Sequence, residues 1–373
     1  MKNKKIEILG FIINIILTIL FTIILAISFD KHLSIVPDNQ QIISILIIFF
    51  SIYITMYIQL IIHELGHLIF GLISGYKFSS FRIGNIMLLK SGKKLKFKKI
   101  KIAGTAGQCL MTPPEMKDDN FPTLLYNLGG ALLNLISCIF LIIIYYFVNE
   151  NNLLSAIVEL SIAYGIYFTA INTIPMKTGT IDNDGYNALS LKTNKDAQQA
   201  FWIQLKLNEL QSKGTRLKNM PEEWFYIPKP AAMKNSLIAT IAVLTCNRLM
   251  DQHKFDEANE KMKQILRAKT AIVGIHRNLL VCDRIYCELL NDNKTNAKKL
   301  MTSELKNFIK SMKDYPAIIR TEYAYQTLIE NNIEKANELK KKFIAKSKTY
   351  PYQNDIRMEK ELIDIITNIK NNK

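Results

Sequence analysis

Long uncharged runs fill the first half of the chain and are missing from the second. Ile8–Phe29, Ile42–Ile62 and Leu124–Val148 run for 22, 21 and 25 residues without a charged side chain. Leu153–Ile174 contains only Glu159. A spanning helix needs about 20 apolar residues, so these runs predict four membrane helices at about 8–29, 42–74, 124–148 and 153–175, the last stopped by Pro175. The first run is longer than the roughly 7–15 residues of a signal-peptide core, which predicts an uncleaved first span. Gly71 and Gly75, near the end of the second span, form a small-xxx-small pair where another helix could approach closely.

Between the second and third spans the pattern changes period. Leu95-Lys96-Phe97 and Ile100-Lys101-Ile102 alternate apolar and basic residues after a Ser91-Gly92 turn. A β-hairpin is expected from about Phe78 to Ile102, either as a basic loop on the membrane surface or as an edge strand that pairs with an unwound substrate. After Pro175 the pattern becomes helical and polar. His253–Ala258, Asp292–Ala297 and Asn331–Ala336 repeat one pattern at a period of 39 residues. This suggests helical hairpins of tetratricopeptide type, with the small Ala where paired helices touch. The fold class expected is therefore an all-α membrane protein with about four transmembrane helices and a possible membrane-associated β-hairpin, followed by a soluble α-helical repeat domain. The domains expected are 1–190 in the membrane, a proline-bearing connector over 191–234, and helical repeats over 235–373.

Charge adds orientation. The 373 residues carry a net +16. Residues 1–190 hold 15 basic and 11 acidic side chains, and 191–373 hold 33 and 21. The segment Gly75–Thr123 has ten basic against three acidic residues, whereas the loops Asp30–Gln41 and Asn149–Asn152 share one basic residue, Lys31. The positive-inside rule then places both termini in the cytoplasm of a cell membrane. The basic soluble half suits an anionic lipid surface; no nucleic-acid motif is present, and no nucleic-acid partner is expected. Five cysteines without a C-x-x-C pair suggest free thiols. His253 and His276 read as surface residues of the helical half.

The candidate chemistry lies at the end of the second apolar run, where the chain reads His63-Glu64-Leu65-Gly66-His67. Ionisable groups at membrane depth are costly and therefore point to function. Residues four apart share a helix face, so His63 and His67 can present two imidazoles to one zinc ion. Glu64 is placed to take a proton from water bound to that ion. Two histidines leave such a metal short of a ligand, since catalytic zinc commonly has three protein ligands.

With Asn172, Pro175, Asp184 and Gly185 added to His63, Glu64 and His67, the sequence resembles the site-2 protease family of intramembrane zinc metalloproteases. Those proteins carry H-E-x-x-H on one span and N-x-x-P followed by D-G near another, and the resemblance covers roughly residues 45–190. It implies a zinc endopeptidase acting on membrane-spanning proteins or peptides, with His63, His67 and Asp184 as ligands and Glu64 as general acid/base. It also implies Asn172 near the substrate and, more loosely, Asn134. The gap from Pro175 to Asp184 is longer than the family pattern, and Asp182 competes with Asp184 for the ligand position. The helical half would recruit a substrate or a regulatory protein. A membrane-anchored partner-binding protein with a non-catalytic zinc site is the alternative, and it gives Glu64 no task.

Overall fold

A computed structural model describes residues 2–34, 37–92, 94–100, 105–148, 153–177 and 182–372. Four helices are long and apolar enough to cross a membrane: α1 (Lys2–Leu33), α2 (Gln41–Ile73), α3 (Leu124–Phe147) and α4 (Leu153–Thr173). Their outer surfaces are rows of exposed Ile, Leu and Phe, such as Phe11, Ile19, Phe50, Ile54 and Phe140. Helices satisfy their own backbone groups, which lets such surfaces face lipid. The protein is membrane-integral.

The polar residues of these helices turn inward. On α2, Ser51, Thr55, Gln59, His63 and His67 recur every fourth residue and are all buried. Ser51 and Thr55 satisfy their hydroxyls on carbonyls one turn back. Gly66 lies where α2 crosses α3; a methyl there would overlap the backbone of Gly129 and Gly130. Close approach therefore centres on Gly66. Gly75 lies beyond the helix end at φ +85° with nothing near it, and Gly71 is covered by Met111 and Tyr126, so the expected Gly71–Gly75 contact between helices does not form. Helix α1 packs on α4 through Phe21, which stacks on Tyr167 with ring centroids 4.4 Å apart. At the far end of these helices Glu159 accepts from Lys31 (2.9 Å), Tyr145 (2.5 Å) and Ser28 (2.8 Å) and meets His32 at 3.0 Å.

Four strands follow α2: β1 (Lys77–Ile83), β2 (Ile86–Ser91), β3 (Lys94–Lys99) and β4 (Gly107–Thr112), in the order β3-β2-β1-β4. Where the alternation predicted a hairpin, three strands form an antiparallel meander, turning at Gly84 (φ +58°) and Gly92 (φ +63°). Lys101 and Ile102, the end of the expected hairpin, lie outside the described residues, as do the loop Asn149–Asn152 and the Thr178–Gly179 insert. The fourth strand has no alternation of apolar and polar residues to announce it.

The chain forms two compact units, one of residues 1–78 and 106–195, the other of 79–105 and 196–373. The first ends in the short α5 (Asp184–Thr193). The stretch read as a connector holds α6 (Lys195–Lys213) and three 3-10 turns. The second unit continues as α7 (Ser236–Asp251), α8 (Phe255–Arg267), α9 (Gly274–Leu290), α10 (Lys294–Leu300), α11 (Ser303–Ser311), α12 (Pro316–Leu328), α13 (Ile333–Ser347) and α14 (Gln353–Asn371). The pairs α7–α8, α9–α10 and α12–α13 turn at His253, Asp292 and Asn331, each with φ between +50° and +60°. These three left-handed residues are 39 apart, and each is followed five residues later by a buried alanine: Ala258, Ala297 and Ala336. The repeated sequence pattern thus corresponds to one repeated turn. His276 differs from its expected surface position: it is half-buried, its Nδ1 has no hydrogen-bond partner, and burial pushes its pKa down to about 4.

On α14 the carboxyl of Asp355 accepts from Gln211 at 3.3 Å and, among the described residues, forms no ion pair. Burial raises its pKa to about 7, reinforced by Glu359 and Asp251. A folded-state pKa above the unfolded value near 3.9 means stability that is present at low pH and lost as pH rises from about 4 to about 7. Asp355→Asn is therefore expected to be more stable than the natural chain at pH 8, by roughly 2–4 kcal/mol, with the difference gone at pH 4. Melting of both proteins in detergent across that pH range reads it out; a constant difference would show that the carboxyl is ordinary.

Candidate metal centre

The centre is built on the inward stripe of α2. His63 and His67, one turn apart, are 6 % and 8 % exposed. Each imidazole is held by its Nδ1. His63 Nδ1 meets Asn134 Oδ1 on α3 at 2.9 Å. The Asn134 amide has no choice of orientation, because its Nδ2 donates to the Gln59 carbonyl (2.9 Å) and Gln59 Oε1 (2.8 Å). Gln59 in turn donates to the Ser161 carbonyl of α4 at 3.0 Å. Asn134 Oδ1 is then an acceptor, so the proton of His63 sits on Nδ1. His67 Nδ1 donates to the Tyr126 carbonyl at 2.7 Å. Both Nε2 atoms are left as lone pairs.

These lone pairs point at one another and at a carboxylate. His63 Nε2 and His67 Nε2 are 3.2 Å apart, and Asp184 Oδ2 lies 3.1 Å from the first and 3.4 Å from the second. Three acceptors at such distances repel unless a cation or a proton sits among them. Tetrahedral ligands with bonds of about 2.0–2.1 Å lie about 3.3 Å from each other, so the spacing fits one zinc ion. Among the described residues these three are the group of His, Cys, Asp and Glu side chains that can hold a metal.

Asp184 reaches this position through its neighbours. It opens α5, whose cap is Asn183; the Asn183 Oδ1 accepts from the backbone N–H groups of Met176 and Tyr186, both at 2.9 Å. The Asn183 Nδ2 donates to the carbonyls of Ile171 (2.7 Å) and Ile174 (2.6 Å). One asparagine thus ties the end of α4 to the start of α5. Gly185 sits so close to the Thr173 carbonyl that any side chain would overlap it. Asp182 lies outside the group; its backbone bridges to Lys177.

Glu64 is 6 % exposed. Its carboxylate lies against Gly107, the first residue of β4, where an added methyl would overlap it. Gly130 likewise faces the His63 ring with no room for a side chain. Asn172 donates to the Phe168 carbonyl on its own helix at 2.9 Å. The residues that sequence reasoning missed are Gln59, Tyr126, Asn183, Gly107 and Gly130. Gln59 carried a signal, since it precedes His63 by one turn in an apolar run. Asn183 carried one as a cap before Asp-Gly. Tyr126 works through its backbone carbonyl, and Gly107 through the side chain it lacks, so neither has a residue-type signal.

Removing the Asn134 amide frees His63 to rotate and to change tautomer. Asn134→Leu is expected to weaken zinc binding by roughly 10–100-fold, as loss of an outer-shell partner typically does. Competition with a zinc chelator measures it; unchanged affinity would make Asn134 a packing residue alone.

A buried pair of imidazoles and a carboxylate inside a bundle of apolar helices, with a second carboxylate beside them, defines a membrane metalloprotease. The chain belongs to Peptidase family M50: the model of that family matches residues 49–341. No curated protein and no solved structure matches the chain.

Proposed function

We propose that the protein is a zinc-dependent intramembrane endopeptidase that hydrolyses peptide bonds of membrane-anchored proteins or peptides. The observation that carries this reading is the convergence of His63 Nε2, His67 Nε2 and Asp184 Oδ2 at 3.1–3.4 Å within the apolar helices, with the Glu64 carboxylate on the neighbouring position of α2. His63, His67 and Asp184 would hold the ion. Zinc bound there supplies Lewis acidity and lowers the pKa of water to about 7. Glu64 accepts the proton of the attacking water on its carboxylate and returns it to the leaving amine. Asn134 and Tyr126 keep the imidazole protons on Nδ1, so that both Nε2 atoms stay available. We assign Asn134 as a positioning residue and keep Asn172 as a residue near the substrate.

A substrate helix satisfies its own backbone, so it must unwind before a carbonyl can enter the site. An unwound segment can gain backbone bonds by adding to a sheet edge. The edge strand beside Glu64 is β4, through Gly107, rather than the basic β3. We therefore place the cleaved segment along β4. The positive-inside pattern supports cytoplasmic termini in a cell membrane, and the helical hairpins support recruitment of a substrate or regulatory protein.

The test is metal content and cleavage of membrane-spanning peptides by the purified full chain in detergent. One zinc per chain is expected, with cleavage lost on chelation and restored by added zinc. Asp184→Ala is expected to lose both, whereas Asp182→Ala keeps both. The opposite result would move the third ligand to Asp182, and absence of zinc from the natural chain after metal is supplied would remove the reading.

A further inference from the structure

The three-stranded meander has one finished face and one unfinished face. Residues directly opposed across antiparallel strands share a face. Arg82 opposes Met87 and Ser80 opposes Leu89; all four are at most 2 % exposed. Met87 and Ile100 belong to the hydrophobic core of the helical hairpins, and Arg82 donates to the Gly84 carbonyl at 2.6 Å. This face is packed.

The other face follows from the same register. Phe81 opposes Leu88, Ile83 opposes Ile86, and Leu88 opposes Phe97, with Leu95 next along β3. None of these six apolar side chains is buried, and with the whole chain present Phe97 is 78 % exposed, Leu95 59 % and Ile86 54 %. A contiguous apolar patch of this kind marks an interaction surface. Its surroundings are basic: Lys90 and Lys99 stand on the same face, opposite Leu95 and Ile86, and Lys94 and Lys96 are exposed along β3. No acidic residue occurs from Lys77 to Pro114. Along the chain, only Ser74, Gly75 and Tyr76 separate the end of α2 from β1. Four Cα steps span at most about 14 Å.

The geometry points to this face as a lipid-docking surface for an anionic membrane, with Phe97, Leu95 and Ile86 entering the boundary between headgroups and acyl chains and Lys90 and Lys99 on lipid phosphates. Charge complementarity selects anionic lipid as the occupant: an apolar face framed by lysines, without one acid, is the composition that binds such an interface. Lysine also suits this placement because its long apolar stem lies along the patch while its ammonium stays in water. The inference stands without the catalytic reading, since it uses only the sheet.

Tryptophan fluorescence in lipid nanodiscs tests it on the full chain. Phe97→Trp places an indole on the proposed face, and Lys96→Trp places one on the opposite face; the natural chain supplies the background of Trp202 and Trp224. In discs of brominated phosphatidylglycerol, the indole added by Phe97→Trp is expected to be quenched about two-fold or more and to emit at shorter wavelength, the one added by Lys96→Trp not. Changing Lys90 and Lys99 to Gln, or using brominated phosphatidylcholine, is expected to remove most of the quenching. Circular dichroism confirms the fold of each variant. A Phe97→Trp indole that emits as in water without quenching would overturn the proposal and leave the face to a protein partner. Quenching that ignores both the lysines and the headgroup charge would overturn the selection of anionic lipid.

Discussion

Glu64→Gln is expected to retain its zinc and to lose peptide cleavage by roughly 10²–10⁴-fold, the range that a positioned acid–base group supplies. The substitution keeps the shape of the side chain, and the space against Gly107 admits an amide as well as a carboxylate. The converging atoms are those of His63, His67 and Asp184, so metal content has no reason to change. What disappears is a base able to hold a proton between water and the leaving amine. Zinc analysis and single-turnover cleavage on the same preparation separate the two effects. A loss below about ten-fold would mean that Glu64 is not the base, and a parallel loss of zinc would make it part of the metal site. The membrane-anchored binding alternative expects no change of any function.

The second large effect concerns the helical unit. Arg320 on α12 has a side chain 1 % exposed and joins two other helices: its Nε donates to Glu359 Oε2 on α14 at 2.9 Å, and its Nη2 donates to Asp283 on α9. Its guanidinium also lies over the Tyr286 ring, 4.8 Å from the centroid. Asp283 and Glu359 are 8 % and 4 % exposed. Arg320→Ala leaves two buried carboxylates without a cation, which typically costs about 3–5 kcal/mol. At 2–4 °C per kcal/mol for a unit of this size, melting is expected to fall by about 10 °C. Buried ion pairs seldom stabilise a fold relative to apolar packing, so the triple change Arg320→Met, Asp283→Leu and Glu359→Leu is expected to recover most of the loss. If the triple variant melts as low as Arg320→Ala, then packing around the guanidinium, rather than its charge, is what matters.

Much of this protein is written locally. Solvent preference alone separates a membrane half from a polar half, because uncharged runs of 21–25 residues have one stable environment. Helical geometry alone puts His63 and His67 on one face, and the 39-residue spacing of His253, Asp292 and Asn331 anticipates three equivalent turns. The first of two long-range statements, that Asp184 meets the histidines from 121 residues away, came from resemblance rather than from the residues themselves. The second, that Gly66 rather than Gly71 and Gly75 receives the neighbouring helix, was not legible, since small residues mark where contact is possible and only packing selects among them.

The sequence by itself determined the membrane spans, the imidazole pair with its carboxylate neighbour, the helical hairpins and the basic charge of the β segment. Each depends on spacing within one element or on the solvent that one element prefers. Tertiary structure decided the rest. It chose the nitrogen each imidazole presents, through Asn134 and the Tyr126 carbonyl; it brought β4 to Glu64; and it buried one face of the meander while leaving Phe97 and Leu95 exposed. Those outcomes depend on which elements meet, and meeting is governed by shape and hydrogen-bond partners contributed by residues far apart in the chain.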